Sequence, residues 1–410
     1  MKSRLIKNTI IATSGVLAQG AARFAVTMLV GRYFPERLGE TSSILSLSQY
    51  ITLFWPAPAG LAATRFLGQY TSSDDKHAGI ISLLSRTVWL FTAGATLTTV
   101  PVAFFFSHDL ATAIFSGLFV AAFGAYLFTR GALVGKGQVP KSTLLDVISS
   151  VATLLLLLTV LQAGLSSLLL MPLALGFGLY ALLAWPRHRS VALPRATRAE
   201  VLSFTRHNIY GMIAAGGLLP ATMILVQLFA RDSSDLFAAA LTLATPANLL
   251  AQSITQVLIP HFASVPATLS HERRRSMWQL FLISVAAFVA IFLTLVVLGP
   301  WLLEVVFPGK FAEGASTLGW LLAIVGAQSC AAVPTAILLA SGRQKTYAGI
   351  CFGATVSGTV TMALGIPLFG LAGALIGFAV GAVGSSAAIC LTGLRPNVPD
   401  ATQVHPAGQL

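Results

Sequence analysis

Arg23 stands inside an apolar stretch of roughly residues 8–31, with no acidic residue near it in the sequence. A charge at bilayer depth costs several kcal/mol, so such residues usually face a protein interior or a water-filled cavity and mark a substrate or ion path. A guanidinium matches phosphate oxygens bidentately and keeps its charge in any environment. The chemistry open to it is therefore anion binding rather than proton transfer. The competing reading is an arginine that snorkels, or that caps backbone carbonyls of another helix. Gly15, Gln19, Arg23 and Thr27 follow one another at intervals of four, which predicts a shared helix face. On that face Gln19 and Thr27 would hydrogen-bond a ligand or hold the guanidinium in place. Gly15 reads better as a packing residue.

Two further sets qualify. Arg65 follows Gly60-Leu61-Ala62-Ala63-Thr64, downstream of Trp55-Pro56-Ala57-Pro58, where each proline removes a backbone hydrogen bond and bends or interrupts the helix. It can supply a second phosphate contact, or equally anchor to lipid headgroups. Thr245, Asn248, Gln252, Thr255 and Gln256 form a neutral polar stripe beside Pro246. Such a stripe suits sugar hydroxyls in a wet cavity, and it suits helix-to-helix bonding just as well.

Composition decides where these residues sit. The chain has 410 residues, of which 56% are hydrophobic and 9% charged. Soluble proteins carry about 25% charged residues, so this chain reads as an all-α integral membrane protein. Twelve apolar segments of about 20 residues or more are separated by short loops. The net charge of +12 does not point to nucleic acid, because the basic residues gather in alternate loops. Placing both termini on one side puts 20 of the 25 Lys and Arg residues there. Arg32, Arg37, Arg231 and Lys310 remain on the other side, and Arg23 lies within a span. The positive-inside rule then predicts cytoplasmic termini of a multi-pass protein of the cell (cytoplasmic) membrane. No cleavable signal pattern is read at the N-terminus.

The acidic residues matter for their placement. Glu36, Glu40, Asp109, Asp232, Asp235, Glu304 and Glu313 fall in outer loops or at span ends; Asp74, Asp75, Asp146, Glu200, Glu272 and Asp400 lie on or near the basic side. None is plainly at mid-membrane. Asp146 is the nearest candidate for an ion site, and pairing with Lys141 or Arg130 explains it as well. Enzymatic signals are absent, so the chain is read as a non-enzyme. Gly131–Lys136 lacks phosphate-loop spacing, His207, His261 and His271 lack metal-ligand spacing, and Cys330, Cys351 and Cys390 all fall in apolar segments.

The segment from Trp185 to Arg206 is basic, carries Pro186 and Pro194, and divides the chain into two six-helix halves. The expected organisation is a bundle over 1–185, a cytoplasmic linker over 186–202, a second bundle over 203–392 and a tail over 393–410. The halves echo each other about 200 residues apart. Gly31–Pro35 followed by Thr41–Leu47 corresponds to Ala230–Asp232 followed by Ala238–Leu243, and Ala132–Gln138 corresponds to Leu338–Gln344. An even number of spans per half predicts a pseudo-twofold along the membrane normal, with substrate sites at the repeat interface.

Four stretches carry a wider resemblance: Arg23–Phe34, Gly60–Arg65, Leu338–Lys345 and Ile366–Ala374. Through them the whole chain resembles polysaccharide and lipid-linked oligosaccharide flippases of the multidrug/oligosaccharidyl-lipid/polysaccharide exporter superfamily. The resemblance implies twelve helices in two bundles working by alternating access. It also implies a polyprenyl-phosphate- or diphosphate-linked glycan as cargo, moved from the cytoplasmic to the outer leaflet for cell-envelope polysaccharide synthesis. The implied partners are that glycolipid, membrane lipids and glycan-assembly enzymes, with no cofactor and an unspecified coupling ion. Arg23, Gln19, Thr27, Arg65, Asn248, Gln252 and Gln256 are the candidate substrate-binding residues. A cation-coupled small-molecule antiporter of the same superfamily is the main alternative, and a membrane-embedded polysaccharide polymerase a more distant one.

The charge asymmetry yields a direct expectation. Cysteines introduced in the 186–202 linker should resist membrane-impermeant thiol reagents in intact cells, whereas cysteines beside Asp232 should react. Labelling of the linker from outside would overturn the orientation.

Overall fold

The computed structural model describes residues 2–70, 74–186, 191–263, 271–341 and 343–394. Regular structure among these residues is helical throughout. In the first half run α1 (Lys2–Tyr33), α2 (Leu38–Thr52), α3 (Pro56–Gln69), α4 (Asp74–Ser107), α5 (Leu110–Gly135), α6 (Val139–Gln162) and α7 (Met171–Ala184). The second half continues with α8 (Arg195–Gly216), α9 (Leu218–Phe229), α10 (Ser234–Ala263), α11 (His271–Val306), α12 (Ala315–Ser329), α13 (Ala332–Ala340), α14 (Gln344–Phe369) and α15 (Leu371–Gly393). Among the described residues eight helical stretches are long and apolar enough to cross a membrane, and the α8–α9 pair, bent by 63°, makes a ninth if it is taken as one span. With α1, the α2–α3 pair and α10 the count reaches about twelve, as the sequence predicts.

Among the described residues three spans are interrupted, the first with a clear local cause. Between α2 and α3 the chain turns at Leu53–Trp55, and Pro56 opens the new helix, where its missing N–H was unpaired in any case. The break between α8 and α9 falls at Gly217, which packs close to the Tyr50 ring. The α12–α13 break falls at Cys330–Ala331. Irregular backbone at membrane depth is tolerated where protein surrounds it or where it lines a cavity.

Between helices already in lipid there is no hydrophobic drive, so close van der Waals packing must hold them. Gly60 and Gly131 bring α3 and α5 into backbone contact, and the Thr64 hydroxyl donates to the Gly131 carbonyl at 3.0 Å. Gly365 and Gly373 do the same for α14 and α15, across a turn in which Gly370 holds φ +57°. Two of the four stretches that carry the family resemblance, Gly60–Arg65 and Ile366–Ala374, are therefore packing and turn devices. The internal echo has a structural counterpart as well: Pro35–Arg37 and Arg231–Ser233 each form a short 3-10 turn leading into α2 and α10.

The segment expected as a linker, 186–202, is helical in part. Residues 191–194 carry no regular structure, Leu193 packs against Gly79 of α4, and α8 already begins at Arg195 behind Pro194. Proline before Arg195 starts a helix rather than preventing one. Residues 187–190 and 395–410, and with them most of the expected tail, lie outside the described residues.

Asp146 pairs with Arg130, one of the two partners the sequence offers it. It is fully buried between helices of the first half, about two turns into α6. The Tyr126 hydroxyl donates to it at 3.0 Å and Arg130 Nε at 3.1 Å, while an aromatic cluster of Phe123, Tyr126, Phe177 and Tyr180 packs alongside. A lone buried carboxylate would be expensive; the ion pair and the phenol make it tolerable.

The two halves meet along α2, which packs on α9 and α10. At the end away from the basic loops they are tied together. Gly39 N–H donates to Asp235 Oδ1 at 2.6 Å, Lys310 Nζ to the Arg32 carbonyl at 2.6 Å, and Arg231 Nη2 to the Phe106 carbonyl at 2.7 Å. Phe307 closes against Gly31.

Gly131→Ala would place a methyl against the Gly60 carbonyl and push α3 from α5. Overpacking of this kind costs about 1–3 kcal/mol, so a lower melting temperature in detergent is expected. Unchanged stability would show that the α3–α5 contact is looser than described.

Candidate substrate cavity

A cavity of about 370 Å³ lies between the halves, lined by α1, α2, α8, α9, α10 and α12–α15. It runs from Thr27 and Ser42 to Tyr347, within one turn of the start of α14 and next to the basic loop at Arg343 and Lys345. The opposite end is the one sealed by the Gly39–Asp235 and Arg32–Lys310 contacts.

Arg23 reaches this cavity. Its Nη2 donates to Gln49 Oε1 on α2 at 3.2 Å, and its guanidinium carbon lies 5.4 Å from the centre of the Phe123 ring. Both partners are neutral, so they orient the cation without cancelling its charge; the ring face attracts it through its quadrupole. Among the described residues Arg23 makes no ion pair, and the described lining includes no carboxylate. The contrast is Arg130, whose charge is matched by Asp146.

Thr27 lines the cavity one turn from Arg23, with its hydroxyl turned back to the Arg23 and Phe24 carbonyls. Gln19 does not share that wall. It is buried against α6, donating to the Asp146 carbonyl at 3.0 Å and the Ser149 hydroxyl at 2.7 Å, and Gly15 packs on Asp146 and Thr143 beside it. The reason is helical pitch. Each step of four residues advances about 40° beyond a full turn, so a stripe that starts on α6 at Gly15 has wound round to the cavity by Arg23. The α1 lining is therefore Gly20, Arg23, Phe24 and Thr27.

Arg65 is elsewhere too. It is exposed on α3 with its guanidinium 4.5 Å from the Phe204 ring of α8, outside the cavity lining. The side chains of Asn248, Gln252 and Gln256 lie outside the described residues, though their backbone belongs to α10. From the same stripe, Thr245 lines the cavity beside Pro246.

Several lining residues were not singled out in the sequence. Ser42, Ser46 and Gln49 project from α2 at spacings of four and three, and Ser385 and Ser386 from α15. Ser42 is 6% exposed, and its hydroxyl has no hydrogen-bond partner among the described residues. The α2 spacing is a legible polar stripe, but serine is so common in close-packed membrane helices that type alone did not separate it. Ala331 and Gly216, at two of the helix breaks, also face the cavity.

No family model matches the chain, and no curated protein matches it. Solved structures do. An inward-facing conformation of a multidrug resistance MATE family transporter of the MOP superfamily aligns with a TM-score of 0.75 at 12% identity, over 93% of this chain and 97% of that one. An outward-facing conformation described in the same terms gives 0.61 at 13% identity, over 95% and 94%. The eukaryotic MATE transporter AtDTX14 gives 0.63 at 16% identity, over 96% of each.

The placement of the two glutamines separates two roles. Gln19→Leu should lower stability by about 1 kcal/mol, the worth of a buried hydrogen bond, and leave anion binding at Arg23 unchanged. Gln49→Leu should keep the protein level and weaken that binding. Equal effects of the two on binding would contradict the division. The chain is a multi-pass membrane protein with the fold of MATE transporters.

Proposed function

We propose that the protein is an alternating-access flippase that moves an anionic, lipid-linked glycan from the cytoplasmic to the outer leaflet, with both termini in the cytoplasm. The observation that carries this reading is Arg23: a cation held by neutral groups in a cavity shared by the two halves. A phosphate or diphosphate entering that cavity finds a planar fork already positioned, in a medium where charge-assisted bonds are strong. The surrounding hydroxyls and amides, among them Ser42, Ser46 and Gln328, suit sugar hydroxyls. In the orientation that the basic loops predict, the sealed end is the outer one and the cavity reaches towards the cytoplasm. This is the state in which cargo would be loaded.

A second reading is a cation-coupled small-molecule antiporter. The solved structures of this fold are named as multidrug transporters, which supports it more directly than the first at the level of the fold. Asp146 is the specific residue that favours it, since a carboxylate buried within a bundle is where a coupling cation would bind. Against it, Asp146 is already paired with Arg130, and the cavity presents a cation where cationic cargo would need an anion.

Arg23→Ala should leave the protein inserted and abundant but slow flipping by about 10- to 100-fold, the loss of a charged hydrogen-bond partner worth roughly 1.5–3 kcal/mol. The lipid-linked intermediate should then accumulate on the cytoplasmic side. Arg23→Lys should rescue in part, because it keeps the charge and loses the fork. Normal export by a well-expressed Arg23→Ala variant would remove the phosphate-binding role. Asp146→Asn discriminates the readings: the flippase reading expects mainly a loss of stability, and the antiporter reading expects loss of ion-gradient dependence.

A further inference from the structure

The polar side chains that line the cavity fall into two groups. Thr27, Thr242, Thr245, Ser385 and Ser386 turn their hydroxyls back to carbonyls three or four residues earlier in their own helices. These groups are satisfied without a ligand. The hydroxyls of Thr335 and Thr355 and the side-chain amide of Gln328 belong to the same lining and make no hydrogen bond among the described residues. Those of Ser42 and Ser46 are unpaired as well, on the α2 face that carries Gln49. Buried polar groups are nearly always paired, so an unpaired set on one wall points to a partner that enters from outside. Gln328, Thr335 and Thr355 all come from the second half. Gln328 stands in the last turn of α12, Thr335 in the first turn of α13 across the break, and Thr355, only 5% exposed, on α14. The wall they form is uncharged. Among the described lining the one charged residue is Arg23, from the first half.

We infer that the second-half wall reads the sugar: Gln328, Thr335 and Thr355 hydrogen-bond an uncharged sugar joined to the phosphate that Arg23 holds. The inference rests on the flippase reading and adds the class of sugar and the residues that select it. Hydroxyls and a carboxamide both donate and accept, which is what the hydroxyls of a sugar require. Neutrality follows from the lining. A phosphate or diphosphate already brings at least as much negative charge as Arg23 supplies. The carboxylate of an acidic sugar would then leave water with no second cation to meet it, which is costly. The same division separates cargo from spent carrier. A carrier that has lost its sugar keeps the first-half contacts and leaves the second-half groups unpaired. A site built to hydrogen-bond a substrate group discriminates strongly against the analogue lacking it.

The test uses the full chain in detergent micelles and native mass spectrometry with three equimolar probes: polyprenyl diphosphate, its glucose conjugate and its glucuronic acid conjugate. The glucose conjugate is expected to be retained about tenfold above each of the other two. Gln328→Leu, Thr335→Val and Thr355→Val together should remove that preference while the bare diphosphate binds as before. Arg23→Ala should weaken all three probes. Equal retention of the bare diphosphate and the glucose conjugate by the unsubstituted protein would overturn the inference, and so would a preference that survives the triple substitution. Loss of bare-diphosphate binding in the triple variant would mark the three residues as structural and overturn it too. Retention of the glucuronic acid conjugate on a par with the glucose conjugate would overturn the uncharged-sugar assignment. If none of the three is retained above uncharged polyprenol, the flippase reading itself fails, and the inference with it.

Discussion

A guanidinium held in a membrane bundle without a carboxylate is the constraint on which the rest of this structure turns. Placing a charge there is costly, and the protein offsets the cost with groups that orient Arg23 but do not neutralise it: the Gln49 amide and the Phe123 face. Three helices must therefore converge, α1 carrying the cation, α2 the amide and α5 the ring. The close packing of α5 on α3 at Gly60 and Gly131 and the α2 seam with α9 and α10 fix that convergence. The cavity then follows between the halves, where a cation can meet water or cargo.

Two half-buried arginines of the first half, Arg23 and Arg130, illustrate what partnering does. Arg130 pairs with Asp146, and the pair adds no net charge to the bundle. Breaking such a pair is destabilising, whereas its presence is weak evidence for either stability or function. Arg23 leaves its field open to the cavity. With Arg130 matched by Asp146 and Arg23 left unmatched at the cavity, fixed charge rather than polarity in general distinguishes the cavity from the packed interior.

The class, the approximate number of spans and the unusual standing of Arg23 were legible in the sequence, because each follows from hydropathy and from the price of charge in lipid. Pro56 and Pro58 marked the α2–α3 break in advance. Rotation was harder. Spacing by four put Gln19 on the same face as Arg23, but the drift of the stripe placed it against Asp146 and Ser149. The pairing of Asp146 with Arg130 was among those the sequence offered; the completeness of its burial depends on how α6 docks against α1 and α7, which no local pattern records. Ser42 and Gln49 were missed for a related reason, since small polar residues serve packing and binding alike, and only tertiary placement tells them apart. Arg65 carried a cation as Arg23 does, yet it stacks on Phe204 outside the cavity.

The central claim is that the cavity selects anionic, lipid-linked cargo through Arg23. Native mass spectrometry of the purified protein with equimolar polyprenyl diphosphate, the uncharged polyprenol and a cationic amphiphile tests it most directly. The account predicts retention of the diphosphate above the other two, and loss of that preference in Arg23→Ala. Equal retention of all three, or preference for the cationic amphiphile, would contradict it.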